Sequence, residues 1–487
     1  MRVDPFGKLA AQGAMIERLS SDSRRCAPGV AFLAYPGEKA DGRAHIGDAL
    51  ARGAEAVLWE ANGFSWDAGW KLPNIPIAEL KQHAGVLAHE FYGRPSEALW
   101  VCGVTGTNGK TSCSQWIAAA LGRHGTKAGV IGTLGSGFPG ALAPLPNTTP
   151  DALELHSTLS QMRSSGAEAV AMEVSSHGLV QGRVNGVRFA CALFTNLSHD
   201  HLDYHGTMQA YGAAKARLFD APGLQCAVLN LDDEFGVELS RLLAAEKRGQ
   251  VRTIGYSLAP QTAPVDEYLV ADSQLNVESS WGRAALRLPV LGRFNVSNAL
   301  GVLGCLVAKG IAFDDAVGLL ASLPPVPGRM QPIGEEPLVV IDYAHTPDAL
   351  DNVLRALRPV AEARGGRLAV VFGAGGDRDP TKRAPMGAIA ARLADRVLVT
   401  SDNPRSEDPL AIISQIEQGI PAEHGVEPDR ARAIEKIIAE SANSDVVLIA
   451  GKGHETYQEI AGKRSHFSDE EHACAALAQR EKAGRTG

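Results

Sequence analysis

The chain has 487 residues, 45% of them apolar and 21% charged, with a formal net charge of −8. This length predicts about three domains, each able to bury its own core, in a soluble globular protein. The acidic balance excludes a general attraction to nucleic acid or anionic membranes, but not phosphate ligands held by local cations.

The stretch Met1-Arg2-Val3-Asp4-Pro5-Phe6-Gly7-Lys8 lacks the apolar core of a secretory leader, and no apolar run approaches the ~18 residues of a membrane span. Seven cysteines, at 26, 102, 113, 191, 226, 305 and 474, form no C-x-x-C pair. They read as reduced thiols of a cytoplasmic protein, most of them small buried side chains.

In chain order, residues 1–97 form a first unit with short strands at 30–34 and 56–59. The turn cluster Tyr35-Pro36-Gly37-Glu38 follows the first of these strands, and the unit closes near Phe91–Ser96. From 98 to 329, apolar strands at 99–104, 168–173, 189–194 and 226–230 alternate with helical patterns, as in an α/β sheet. The first three run into polar segments at their carboxyl ends, the edge where open α/β sheets collect ligands. From 330 to 487 the pattern restarts, with strands at 338–341, 368–372, 397–400 and 446–450. The loop Gly373-Ala374-Gly375-Gly376-Asp377-Arg378 carries Arg378 where a dinucleotide fingerprint needs its third glycine, so that fingerprint is incomplete.

Between the strand at 99–104 and a helix lies Thr105-Gly106-Thr107-Asn108-Gly109-Lys110-Thr111. Glycines let backbone N–H groups approach phosphates, Lys110 adds a cation and Thr111 can ligate magnesium. The strict G-x-x-x-x-G-K-[ST] pattern fails, because Val104 occupies its first glycine position. Glu173, in Glu173-Val174-Ser175-Ser176-His177-Gly178, ends the next strand and is placed either to hold magnesium or to cap a turn. The segment His199-Asp200-His201-Leu202-Asp203-Tyr204-His205 packs three histidines and two aspartates into seven residues. Zinc and a magnesium–phosphate role both remain open on spacing alone. Lys215, on an apparent helix, reads as a solvated lysine.

The order GTNGKT, EVSSHGL, NLSHDHLDYHG, AAKARLF, LGRFNVSNAL, GRM, DYAHTPDAL, GGDRD, DNPR and GKGHE resembles the Mur ligases of peptidoglycan synthesis, from Asp22-Ser23-Arg24 to Glu455. That family uses a shortened GTxGK[TS] loop, which accounts for Val104. The resemblance implies a small α/β UDP-sugar-binding domain, a central P-loop-type ATPase domain with a mainly parallel sheet, and a Rossmann-like third domain. It also implies ATP-dependent amide ligation in cell-wall synthesis, supporting cell shape and division, by a monomer with magnesium as cofactor.

Carried over by motif, Gly106, Thr107, Asn108, Gly109, Lys110 and Thr111 bind ATP, with Asn295, Arg329, Asp342 and His345. Glu173, His201 and Thr111 hold magnesium, joined by Lys215 after carbamylation by CO2. Lys110, Glu173, His201 and Lys215 form the catalytic set. Ser23 is expected near uridine, with Thr148, Thr149, Ser175, Gln181 and Arg183 along the UDP-sugar path. Asp402-Asn403-Pro404-Arg405 matches diaminopimelate-adding members, with Arg378, Gly451 and Glu455 as further contacts, the last at the distal amine. The distal carboxylate of diaminopimelate, which lysine lacks, suits a guanidinium through two parallel hydrogen bonds. A lysine-adding or folate-acting relative, and a non-catalytic binder of UDP-sugar or nucleotide, are the competing readings. His199 departs from the arginine often found in relatives at that position.

Overall fold

The computed structural model describes residues 4–38, 40–246 and 249–485. Met1–Val3, part of the stretch read for a leader, lie outside the described residues. Three separate α/β sheets organise the chain. The first has four parallel strands in the order β1 (Arg18–Ser20), β2 (Val30–Ala34), β3 (Ala56–Glu60) and β4 (Asn74–Ile77). β2 and β3 are buried at every position, so both sheet faces are covered and the strands read as continuous apolar runs.

The second sheet contains β5 (Trp100–Thr105), β6 (Ala128–Gly132), β7 (Gly135–Phe138), β8 (Ala141–Ala143), β9 (Ala169–Glu173) and β10 (Cys191–Phe194). It continues with β11 (Cys226–Asn230), β12 (Arg252–Ser257), β13 (Glu267–Ala271), β14 (Asn276–Ser279) and β15 (Gly282–Ala285). Their spatial order is β15-β14-β13-β12-β11-β10-β5-β9-β6-β7-β8. The strands from β13 to β6 are parallel, and antiparallel pairs finish both edges. β5 lies between β9 and β10, so the carboxyl ends Thr105, Glu173 and Phe194 point into one crevice.

The helix Lys110–Arg123 starts directly after the phosphate loop. It buries Cys113, Trp116, Ile117, Ala120 and Leu121, a stripe at helical spacing. This stripe and the apolar helix Arg293–Lys309 share one core with β5, β10 and β11. Cys102, Cys191 and Cys305 meet there, with the Cys305 sulfur 3.8 Å and 3.9 Å from the other two. All seven cysteines are free thiols and six are buried, as the spacing predicts.

The third sheet comprises β16 (Gln331–Glu335), β17 (Leu338–Asp342), β18 (Leu368–Phe372), β19 (Arg396–Val399), β20 (Gly425–Val426) and β21 (Val446–Ala450). The order is β16-β17-β21-β18-β19-β20, with only β16 antiparallel. The segments Asp342, Gly451, Gly373–Gly376 and Asp402–Arg405 therefore leave neighbouring strand ends side by side. No helix among the described residues is long and apolar enough to cross a membrane.

A buried ion pair braces that edge. Arg430 Nε and Nη2 donate to the two Asp469 oxygens at 2.7 and 2.8 Å, and Nη2 also donates to Ala450 O at 2.9 Å. Both side chains are 0% exposed. Removing one partner strands the other charge in the interior, so Arg430→Met is expected to cost about 3–5 kcal/mol. Urea unfolding checks this; a loss below about 1 kcal/mol would contradict it.

Candidate active site

The phosphate loop is shaped by two glycines. Gly106 has φ +148°, and a Cβ there would lie 1.9 Å from Thr195 Oγ1. Gly109 has φ +86°, and its Cβ would meet Asn298 Oδ1 at 2.4 Å. Only glycine fits either position. Val104 is fully buried within β5, so the turn starts after the strand and is shorter than the strict pattern requires. The end of β10 stitches the loop in place. Thr107 N donates to Asn196 O at 2.8 Å, Asn108 N to Asn196 Oδ1 at 2.9 Å and Thr195 Oγ1 to Asn108 O at 2.6 Å. Lys110 Nζ donates to Gly106 O and Thr107 O at 2.9 and 2.8 Å. Burial lowers its pKa, opposed by Glu173 and Asp200.

Glu173, 1% exposed, is held by oxygen and nitrogen donors on three sides. Thr111 Oγ1 donates to it at 3.0 Å, Thr133 N at 2.8 Å and Thr133 Oγ1 at 3.1 Å. Arg329 Nη2 donates to Thr111 Oγ1 at 3.2 Å and links the chain entering the third sheet to this cluster. His201 has a left-handed φ of +53°. Its pKa is pushed down to about 3, chiefly by burial, with the opposing pull of Asp200 too weak to restore it. Its imidazole is thus neutral near pH 7.

Lys215 overturns the solvated reading suggested by its helix. It is 1% exposed, its Nζ donates to Gly106 O at 2.8 Å, and it lies 4.2 Å from the Tyr211 ring centroid. Burial, reinforced by Lys110, holds its pKa well below the ordinary lysine range.

Thr107–Thr111, Thr148, Glu173, Ser175, His201, Lys215, Asn295, Arg329, Asp342 and His345 all line one cleft of about 530 Å³. Asp342, whose pKa burial raises, accepts from Met330 N at 2.7 Å. His345 Nδ1 lies 2.8 Å from Tyr343 O. Asn295 Nδ2 donates to Leu291 O at 2.9 Å. The cleft wall next to Glu173 continues into the residues expected along the UDP-sugar path. Thr148 and Thr133 hydroxyls are 3.0 Å apart, and Thr149 Oγ1 donates to Glu173 O at 3.0 Å and lies 3.1 Å from Ser175 Oγ. Arg183 donates to Thr149 O at 2.7 Å and Gln181 Oε1 at 2.8 Å. Gln181 reaches Glu38 of the first unit at 2.8 Å. Ser23 is separate: it is buried in a short turn capped by Asp22 and is not among the residues lining the cleft.

The residues expected to contact the amino acid form a second cluster on the third sheet. Asn403 Nδ2 donates to Glu455 Oε2 at 2.8 Å, and Lys452 Nζ lies 3.2 Å from both Asn403 Oδ1 and Glu455 Oε2. Gly451 has φ +117°, and a Cβ there would lie 2.5 Å from Asp402 Oδ2. Gln458 Nε2 donates to Asp402 O at 2.8 Å, and Pro404 is buried beside it. Arg405 has φ +54°. Its backbone is pinned to Glu459 O and Ala461 N, and its Nη1 donates to Gly376 O at 2.7 Å. The guanidinium is thereby fixed beside the Gly373–Gly376 loop. Arg378 is exposed and lines a cleft of about 550 Å³ with His199, Asp203, Asp379 and Thr381.

Among the described residues, the only three-ligand group within metal reach is the buried Cys102–Cys191–Cys305 set, while His205 Nε2 sits 2.9 Å from Ser176 Oγ. Sequence reasoning also passed over several participants. Asn298 follows Asn295 by one helical turn in the same motif, which is a usable signal. Asp348 lies within DYAHTPDAL and Lys382 follows GGDRD, whereas Thr133 and Tyr211 carry no motif of their own. Asn108 Nδ2 donates to Asp348 Oδ2 at 3.1 Å across the two sheets.

Comparison with known proteins gives the family of the chain. Residues 104–306 match the Mur ligase middle domain, 328–453 the Mur ligase glutamate ligase domain and 15–92 the Mur ligase family catalytic domain. The chain belongs to the Mur ligase family and has its three-domain α/β fold. The UDP-N-acetylmuramoyl-L-alanyl-D-glutamate–2,6-diaminopimelate ligase of Pseudomonas aeruginosa is 51% identical, with 98% of each chain covered. The protein of the same name from Janthinobacterium is 49% identical, over 97% of this chain and 96% of its own. A solved ligase of that name superposes with a TM-score of 0.67 at 38% identity, covering 96% of this chain and 95% of its own. A Thermotoga maritima MurF ligase solved with ADP shares the fold at 20% identity and a TM-score of 0.63, with 96% and 99% covered.

His199 is exposed at the cleft rim, where solvent screens electrostatic interactions. His199→Arg is expected to change turnover by less than about threefold; a large gain in steady-state rate would show that histidine compromises the site.

Proposed function

We propose that this chain is an ATP-dependent ligase. It joins meso-diaminopimelate to the D-glutamyl γ-carboxylate of UDP-N-acetylmuramoyl-L-Ala-D-Glu, a cytoplasmic step of peptidoglycan synthesis performed by a monomer. The observation that carries this reading is the convergence of Lys110, Glu173, His201 and Lys215 on one cleft that third-domain residues help to line. Domain boundaries fall at 97/98 and 329/330, between the three sheets.

A carboxylate is a poor electrophile because its oxygen leaves badly. Transfer of the γ-phosphoryl group of ATP to the carboxylate gives an acyl phosphate and ADP. The incoming amine then adds to the carbonyl carbon, and the tetrahedral intermediate expels inorganic phosphate and a proton to leave the amide. Lys110, held over the loop carbonyls, counters charge on the β- and γ-phosphates. Loop N–H groups and the start of helix Lys110–Arg123 face the same anion. Asn295, Arg329, Asp342 and His345 bind the rest of the nucleotide.

The carboxylate of Glu173, the Thr111 hydroxyl and the neutral His201 ring are a donor set that fits magnesium. When bound, the ion neutralises phosphate charge and brings two anionic reactants together. Lys215, a buried amine whose ammonium form is disfavoured by burial and Lys110, is suited to add CO2 with loss of a proton, giving an anionic oxygen ligand. Thr148, Thr149, Ser175, Gln181 and Arg183 orient the UDP-sugar, with Ser23 near uridine. Asp402, Asn403, Pro404, Arg405, Arg378, Gly451 and Glu455 receive diaminopimelate.

Turnover of substrate bearing heavy oxygen in the γ-carboxylate tests the acyl phosphate. One labelled oxygen is expected in the released phosphate and one in the amide. Release of unlabelled phosphate, with the lost label appearing in water, would overturn the route.

A further inference from the structure

We infer that Lys382 is a positioning residue for the reaction: it reaches across from the third domain to clamp Asp200, and through Asp200 it fixes His201. The inference rests on the ligase reading.

The base of Lys382 is immobile. Asp379 accepts from Thr381 N at 2.9 Å and Thr381 Oγ1 at 2.6 Å, closing the short turn Pro380–Lys382. The next residue, Arg383, is 1% exposed. It donates to both Glu407 oxygens at 2.8 and 2.9 Å and to Gln415 Oε1 at 2.7 Å. From this anchor Lys382 Nζ forms an ion pair with Asp200 Oδ1, the two side chains being only 13% and 7% exposed. Exposed ion pairs contribute little, but one this enclosed depends on both partners.

Asp200 has a second task. Its Oδ1 also accepts the His201 N–H at 2.9 Å, and its Oδ2 lies 3.3 Å from His201 Nε2. His201 needs such support, because its φ of +53° is unfavourable for a residue with a Cβ. Without Lys382, Asp200 keeps a buried charge lacking its partner and is free to turn toward other cations, releasing the His201 backbone and ring. Lys382 belongs to the same loop as Arg378, four residues earlier, which lines a cleft with His199 and Asp203 from the segment that carries Asp200 and His201. Seating of that loop is therefore coupled to the orientation of His201 on the other side of the cleft.

Steady-state kinetics of the full chain with ATP, the UDP-dipeptide and diaminopimelate test this, with magnesium varied. Lys382→Met is expected to lower kcat by about 10²-fold and to raise the magnesium concentration for half-maximal rate. KM for the UDP-dipeptide should stay within about threefold. Asp200→Asn should give the same signature, and it decides the matter if Lys382→Met does not fold. Lys382→Arg, which retains the charge, should recover most of the kcat. The double variant should be no slower than the slower single variant, since both act through one contact.

A loss in Lys382→Met seen only in KM for diaminopimelate would overturn the inference by making Lys382 an amino-acid contact. Multiplicative losses in the double variant would overturn it too. An inactive wild-type protein would instead end the ligase reading itself.

Discussion

Lys215→Ala is expected to lower kcat by about 10³-fold or more, the scale on which loss of a group acting only in the transition state is felt. Short carboxylates such as formate or acetate should restore part of it. The expectation follows from environment rather than residue type. Lys215 is enclosed, donates to the phosphate-loop carbonyl of Gly106 and has burial and Lys110 both acting against its ammonium form. An amine whose ammonium form is disfavoured in this way is readied as a nucleophile toward CO2, and the carbamate is an anion where the amine was a prospective cation. A carboxylate diffusing into the space left by alanine supplies the same charge. Rescue by carboxylates but not by alkylamines distinguishes this from a lysine needed as a cation. Rescue by amines alone would refute the carbamate, and equal activity of Lys215→Ala and wild type would remove Lys215 from the site.

Arg405→Ala carries the second large effect, and it should fall on selectivity. kcat/KM for diaminopimelate is expected to drop by about 10³-fold or more, because a site built around a polar group discriminates by orders of magnitude. Lysine use should change far less. The left-handed backbone of Arg405, its main-chain bonds to Glu459 and Ala461 and its bond to Gly376 O hold the guanidinium in one orientation. Bidentate recognition of a carboxylate needs that pre-organisation. Arg405→Lys keeps the charge but loses the planar fork, so it should recover little. Undiminished diaminopimelate use by Arg405→Ala, measured by product formation, would refute the assignment.

What the sequence made legible follows from what kinds of force are local. Strands buried on both faces, such as 368–372, 446–450 and 226–230, appear at the residues their apolar runs predict, since both walls of a parallel sheet demand the same composition. The phosphate loop was legible because glycines with positive φ and close neighbours leave no substitute. Lys215 was legible only through the family resemblance: on its own its helix shows a lysine among alanines, and only the packing of that helix against the loop reveals burial. Asp200 and Lys382 were hidden for a related reason. Their pairing joins positions 182 residues apart, and no periodicity encodes a contact between domains. Arg405 was read from its motif, whereas the left-handed backbone that aims it is a tertiary outcome of pairing with the Tyr457–Ile460 strand.

The most direct test of the central claim is phosphate release from ATP with UDP-N-acetylmuramoyl-L-Ala-D-Glu and either meso-diaminopimelate, L-lysine or no amino acid, the product being weighed by mass spectrometry. Phosphate release matched by tripeptide formation with diaminopimelate alone is the predicted result. Equal turnover with lysine would contradict the selectivity assigned to Arg405, and nucleotide binding without phosphate release under any condition would contradict the ligase.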